Sequence, residues 1–182
     1  MSCVLIMGGA RSGKSARAER TAIASGKEVI YVATSQAHDE EMAARIAHHR
    51  QQRPAHWQTV EEPLALAATL ATLSRPDNLI LVDCLTLWLS NLLFADGQVY
   101  PEIGNIELPA RFHTERAALL ATLPTLPGEV LLVSNEVGMG IVPWGAVSRT
   151  FADEAGRLNQ AVAQCCQRVE MLIAGLPLTL KA

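Results

Sequence analysis

Apolar residues in this chain alternate between short uninterrupted runs and longer stretches of helical period. The runs at 3–7, 28–33, 79–82, 129–134 and 169–174 are too short for helices and are bounded by turn residues, which predicts strands buried on both faces. Between them, 16–24, 64–73, 84–94, 110–123 and 148–167 read as helices. After the turn Gly175-Leu176-Pro177, residues 178–181 predict a short antiparallel terminal strand. Strands alternating with helices predict an α/β domain of three layers, with a mainly parallel sheet between helices. No internal repeat, linker or low-complexity tail divides residues 1–182, so one domain is expected.

The first strand and helix enclose Gly8-Gly9-Ala10-Arg11-Ser12-Gly13-Lys14-Ser15, a complete G-x-x-x-x-G-K-[ST] phosphate-loop pattern in its strand, loop, helix context. Glycine at 8 and 13 lets backbone amides converge on phosphate oxygens. Lys14 is placed to reach the β and γ phosphates, and the Ser15 hydroxyl to ligate Mg2+. The plainer alternative is a tight turn into an ordinary helix. Asp83, at the end of the strand 79–82, is the acid expected to complement such a loop at the metal; a cap for the next helix is the plainer alternative. Thr34 and Ser35 follow the second strand at its carboxyl end, where they either lie beside a ligand or form an ordinary strand-to-helix turn. Glu61 and Glu62 either start a helix or accept from a base or ribose. Thr86 and Asn91 require hydrogen-bond partners if buried, and Trp88 reads as core.

Residues 39–50 predict another helix, with Met42, Ile46 and His49 along one side and Arg45 close by. It runs into His48-His49-Arg50-Gln51-Gln52-Arg53-Pro54, where Pro54 marks a boundary. This cationic stretch is either a solvated face or a grip on a second set of phosphates, and an unprotonated histidine there could attack one of them.

The 182-residue length, 49% apolar content and 18% charged content suit one compact domain, and a net charge of −3 offers no general polycation for nucleic acid. Cys3, Cys84, Cys165 and Cys166 lack paired metal-ligand spacing, and the adjacent pair disfavours a disulfide framework. With no signal-like segment and no apolar run of membrane-spanning length, a cytoplasmic enzyme without membrane insertion is expected.

Taken in order, these motifs resemble the bifunctional adenosylcobinamide kinase and adenosylcobinamide-phosphate guanylyltransferase family of cobalamin biosynthesis. The likeness covers nearly the whole chain: the 8–15 loop; Ala33-Thr34-Ser35; Arg45 through Arg53-Pro54, with Trp57 and Glu61; Asp83-Cys84-Leu85-Thr86, with Trp88 and Asn91; Ser134 to Pro143; and Arg149 to Asn159-Gln160. The resemblance implies a P-loop fold and two reactions. ATP or GTP would phosphorylate the aminopropanol hydroxyl of adenosylcobinamide, and GMP from GTP would then pass to the new phosphate through a guanylylated histidine. The matching histidine is His49, with His48 as its direct rival. Arg45, Arg50 and Arg53 are candidates to stabilise the departing pyrophosphate. The resemblance also implies that Ala33, Thr34, Ser35, Arg50, Gln51, Gln52, Arg53, Glu61 and Asp83 surround guanine nucleotide, and that the protein forms a homo-oligomer, expected to be a homotrimer. Two competing readings are a simpler P-loop small-molecule kinase and a noncatalytic nucleotide-sensing module.

Overall fold

The computed structural model describes residues 2–36, 54–95 and 97–182. The sequence-predicted helix at 39–50 and the residues Arg45, His48, His49, Arg50, Gln51, Gln52 and Arg53 lie outside the described residues.

Seven strands form one sheet: β1 (Cys3–Gly8), β2 (Glu28–Ala33), β3 (Gln58–Glu61), β4 (Asn78–Asp83), β5 (Glu129–Asn135), β6 (Arg168–Ile173) and β7 (Leu176–Lys181). Their spatial order is β3-β2-β4-β5-β1-β6-β7. Every pairing is parallel except the antiparallel β6–β7 hairpin at one edge. The sequence predicted the hairpin and the five central strands but not β3. That strand has four residues, Gln58 and Glu61 exposed and Thr59 and Val60 half-buried, so it carries no apolar run for a sequence pattern to register.

Five described helices flank the sheet: α1 (Lys14–Ala24), α2 (Leu66–Leu73), α3 (Leu85–Phe94), α4 (Ala110–Thr122) and α5 (Ala146–Cys165). Alternate strand residues serve opposite faces. Leu5, Val32, Val82 and Leu132 meet α2 to α5 around Trp88 and Phe112, whereas Ile6, Tyr31, Leu81 and Val133 meet Ala18 and Ala22 of α1 together with Trp57. Both faces are covered, which is why the central strands read as continuous apolar runs. Between α3 and α4 the chain from 97 to 109 has no regular structure; the Ala146 amide donates to Glu102 O at 2.9 Å, tying this segment to the start of α5.

Candidate active site

β1 ends at Gly8 and α1 begins at Lys14, so the phosphate loop joins the carboxyl end of an inner strand to a helix N-terminus. Gly13 caps that helix at φ 93°, and no side chain caps its first amides. Those donors, with the positive end of the helix, suit an anion. A Cβ on Gly8 would lie 2.4 Å from Ser12 Oγ and 2.7 Å from Leu172 O, leaving room for glycine alone. Lys14 is buried and its Nζ donates to Gly9 O at 3.1 Å, which folds the ammonium over the loop where a phosphate oxygen would replace that carbonyl. Ser12 Oγ is buried without a hydrogen-bond partner among the described residues, a second polar group left unsatisfied inside the loop.

The loop is held from outside by backbone and by ion pairs onto one buried carboxylate. Ala174 (φ 52°) and Gly175 (φ 80°) form the two-residue β6–β7 turn, with the left-handed residues a tight hairpin requires. The Gly175 amide donates to Ser12 O at 2.9 Å, so the hairpin tip rests on the loop. Arg17 of α1 forks onto Glu170 of β6, Nε to Oε2 and Nη2 to Oε1, both at 2.9 Å, and Arg168 also pairs with Glu170. The Arg17 guanidinium holds the Glu170 carboxyl below the usual carboxylate range against the opposing effect of burial, and Glu170 in turn raises the Arg17 pKa.

Across the sheet, β5 separates β1 from β4, so the loop and Asp83 are two strand spacings apart, about 10 Å. The cap alternative for Asp83 is not realised: α3 starts from Cys84 with no side-chain cap, and Asp83 Oδ2 instead accepts from the Tyr31 hydroxyl at 3.0 Å. Burial, and after it the Asp83 charge, push the Cys84 thiol above its usual range. Ladder register sets Glu61, Ala33 and Asp83 level on β3, β2 and β4. Glu62, not Glu61, serves the start of α2, its Oε1 accepting from the amides of Leu64 and Ala65 at 2.9 and 2.7 Å.

A network of side chains supports this end. Thr34 is fully buried; its hydroxyl donates to Cys84 O at 2.8 Å and accepts from the Cys84 amide at 2.9 Å, while half-buried Ser35 follows it. Asn91 Nδ2 donates to Thr34 O at 2.7 Å and Pro63 O at 3.1 Å, and Thr86 Oγ1 accepts from Asn135 Nδ2 at 2.7 Å. These are the partners that Thr86 and Asn91 required. Trp88 is buried and donates to Leu64 O at 2.8 Å, as a core residue would. Arg149 donates to the carbonyls of Pro143 and Trp144. Tyr31 and Gly175 carried no local signal: one is an aromatic in an apolar strand and the other a turn glycine, and each acquires its role through a distant contact.

The model of the cobinamide kinase / cobinamide phosphate guanyltransferase family matches residues 4–180. The chain belongs to this family. It is 56% identical over 177 residues to the bifunctional adenosylcobalamin biosynthesis protein CobP of Pseudomonas aeruginosa, covering 97% of this chain and 96% of that one. It is also 42% identical over 180 residues to CobU of Escherichia coli, described in the same words, covering 98% of this chain and 99% of the relative. Family membership makes the chain an enzyme with paired kinase and guanylyltransferase activities on adenosylcobinamide. Among solved structures, a type III secretion ATPase aligns with TM-score 0.54 at 14% identity over 98% of this chain and 56% of that one. The flagellar accessory protein FlaH of Methanocaldococcus jannaschii aligns with TM-score 0.52 at 11% identity over 99% and 78%. At such identities these likenesses establish the P-loop α/β fold and nothing narrower. No helix among the described residues is long and apolar enough to cross a membrane.

Proposed function

We propose that one nucleotide site, between the phosphate loop and the carboxyl ends of β2, β3 and β4, carries both reactions. The observation behind this reading is the uncapped helix N-terminus over Lys14 facing, two strands away, the level row Glu61, Ala33 and Asp83. In the first reaction the aminopropanol hydroxyl of adenosylcobinamide attacks the γ phosphorus of ATP or GTP; the O–P bond to the leaving diphosphate breaks and the hydroxyl proton is released. The loop amides and Lys14 hold the phosphates and stabilise the charge that develops as the diphosphate leaves.

In the second reaction a ring nitrogen of His49 attacks the α phosphorus of GTP and pyrophosphate departs. A phosphate oxygen of the adenosylcobinamide phosphate then displaces the histidine, giving adenosylcobinamide-GDP and restoring the ring. Two easier displacements replace one difficult transfer. Arg50 and Arg53 stabilise the departing pyrophosphate, while Ala33, Ser35, Gln51, Gln52 and Glu61 surround the guanine nucleotide. The Thr34 hydroxyl is bound to Cys84, so Thr34 acts by fixing the strand end.

The donors here fit Mg2+. The Ser15 hydroxyl and the Asp83 carboxylate are hard oxygen donors that would hold the ion together with nucleotide phosphates. When bound, the ion neutralises phosphate charge. The enzyme works in the cytoplasm as a homo-oligomer, a homotrimer on the family pattern.

The test is to supply adenosylcobinamide, ATP, GTP and Mg2+ and resolve the products by mass. Phosphorylated and guanylylated cobinamide are both expected. With labelled GTP alone the enzyme should acquire an acid-labile, base-stable adduct, which His49→Ala abolishes while leaving most kinase turnover. An undiminished adduct in that variant would move the nucleophile to another residue, His48 first.

A further inference from the structure

We infer that the corrin ring of the substrate lies in an apolar groove between α3, the segment after β5 and the first half of α5, an inference that rests on the function proposed above. Ser90 and Phe94 of α3, Val137 and Pro143 of the segment, and Val147 and Phe151 of α5 line an open groove of about 320 Å3. Next to it Met139, Ile141, Val142 and Trp144 stand in solvent, Ile141 at 98% exposure and Trp144 at 82%. From 137 to 148 the chain carries no charged residue. A neutral apolar surface this prominent marks a place where something binds.

Its position ties it to the phosphates. Asn135, two residues before Val137, is the ladder partner of Gly8, and the Glu136 amide donates to Gly8 O at 3.0 Å. The segment that lines the groove therefore leaves the sheet at the same carboxyl end as the phosphate loop, from the neighbouring strand. A corrin is a broad, flat, mainly hydrocarbon macrocycle with neutral amides on its rim, and the hydroxyl to be phosphorylated hangs from one of those amides on a short arm. An apolar bed beside the phosphate loop suits the ring and leaves the arm directed at the γ phosphate.

A second copy of the chain is the other conceivable occupant. Its natural place is elsewhere, because β7 is an exposed edge strand with Leu176, Leu178 and Leu180 in solvent, beyond β6 from the loop strand.

Two variants test the assignment: Ala152→Trp, which fills the groove from α5, and Trp144→Ala, which removes an exposed side chain that supports no core. Steady-state kinetics would give KM and kcat for adenosylcobinamide, labelling with GTP alone would serve as a reaction that involves no corrin, and sedimentation would give the assembly mass. Ala152→Trp should raise KM for adenosylcobinamide at least tenfold and Trp144→Ala severalfold, with GTP labelling and mass unchanged. Unchanged KM in both variants overturns the inference, and a changed mass with unchanged KM assigns the groove to a second copy. Should Ala152→Trp fail to melt cooperatively, the KM of Trp144→Ala decides. A wild-type enzyme that labels with GTP but never phosphorylates adenosylcobinamide would refute the proposed function itself; activity with indifferent variants refutes the groove alone.

Discussion

The two ends of the proposed nucleotide site are built by different means. The phosphate-loop end is made of backbone: glycines at 8 and 13, the bare N-terminus of α1, and a hairpin tip whose amide rests on Ser12. The acid end is made of side chains, in which Tyr31, Thr34, Thr86, Asn91 and Asn135 pass hydrogen bonds around Asp83 and Cys84. Backbone can present many amides to a phosphate common to every nucleoside triphosphate. Side chains are needed where one nucleotide must be told from another and where two reactions succeed each other. Damage at the first end should therefore abolish both activities, and damage at the second should unbalance them.

The largest effect is expected from Lys14→Ala. It removes the cation proposed to reach the phosphates, so both kinase turnover and GTP labelling should fall by roughly a hundredfold or more, the scale of losing one electrostatic stabiliser of a transition state. Near-normal rates would separate the loop from the chemistry. Next is Glu170→Ala, which strands Arg17 beside a buried site. Because Arg17 keeps part of its surface in water, losing its two charge-assisted hydrogen bonds should cost about 1.5–3 kcal/mol, read as a lowered denaturation midpoint. The same pair gives a pH signature. Because the folded-state pKa of Glu170 is depressed, its contribution is complete above the unfolded value of about 4.3 and is lost as pH falls through the folded value. Thermal melts of the wild type should thus lose stability on acidification below about pH 4.3 more steeply than those of Glu170→Gln, and parallel curves would remove the pair from the account.

A smaller effect is predicted at the acid end. Asn91→Ala leaves the carbonyls of Thr34 and Pro63 without that donor and should cost about 1–3 kcal/mol, with GTP labelling impaired more than kinase turnover. Equal impairment of the two reactions would contradict the division of labour between the ends. The smallest is Gly175→Ala. A side chain at φ 80° costs about 1–2 kcal/mol in the left-handed region, and the strain acts where the hairpin supports Ser12, so KM for nucleotide should rise while kcat changes little. Gly175→Asn, which tolerates this conformation better, should recover part of the loss.

Much of the phosphate-loop end was legible because its requirements are local. A strand, eight consecutive residues and a helix suffice to name the loop, and residues in immediate succession cannot be separated by folding. Continuous apolar runs likewise identified the central strands, since a strand covered on both faces has no polar position to interrupt it. The motif order, from Ala33-Thr34-Ser35 to Asn159-Gln160, was enough to name the family. Edge strand β3 escaped because it is short and only partly buried, and with it went the ladder that sets Glu61 level with Asp83.

What only the tertiary structure decided are the choices between chemically equal neighbours. Asp83 could have capped a helix, but the hydroxyl of Tyr31 reaches it from the adjoining strand. Glu61 and Glu62 are indistinguishable in sequence, yet the start of α2 takes Glu62 and the strand end takes Glu61. Gly175 is an ordinary turn residue until the hairpin delivers its amide to Ser12. In each case the deciding partner is remote in the chain or set by strand register, and a hydrogen bond of about 3 Å depends on that register rather than on residue type.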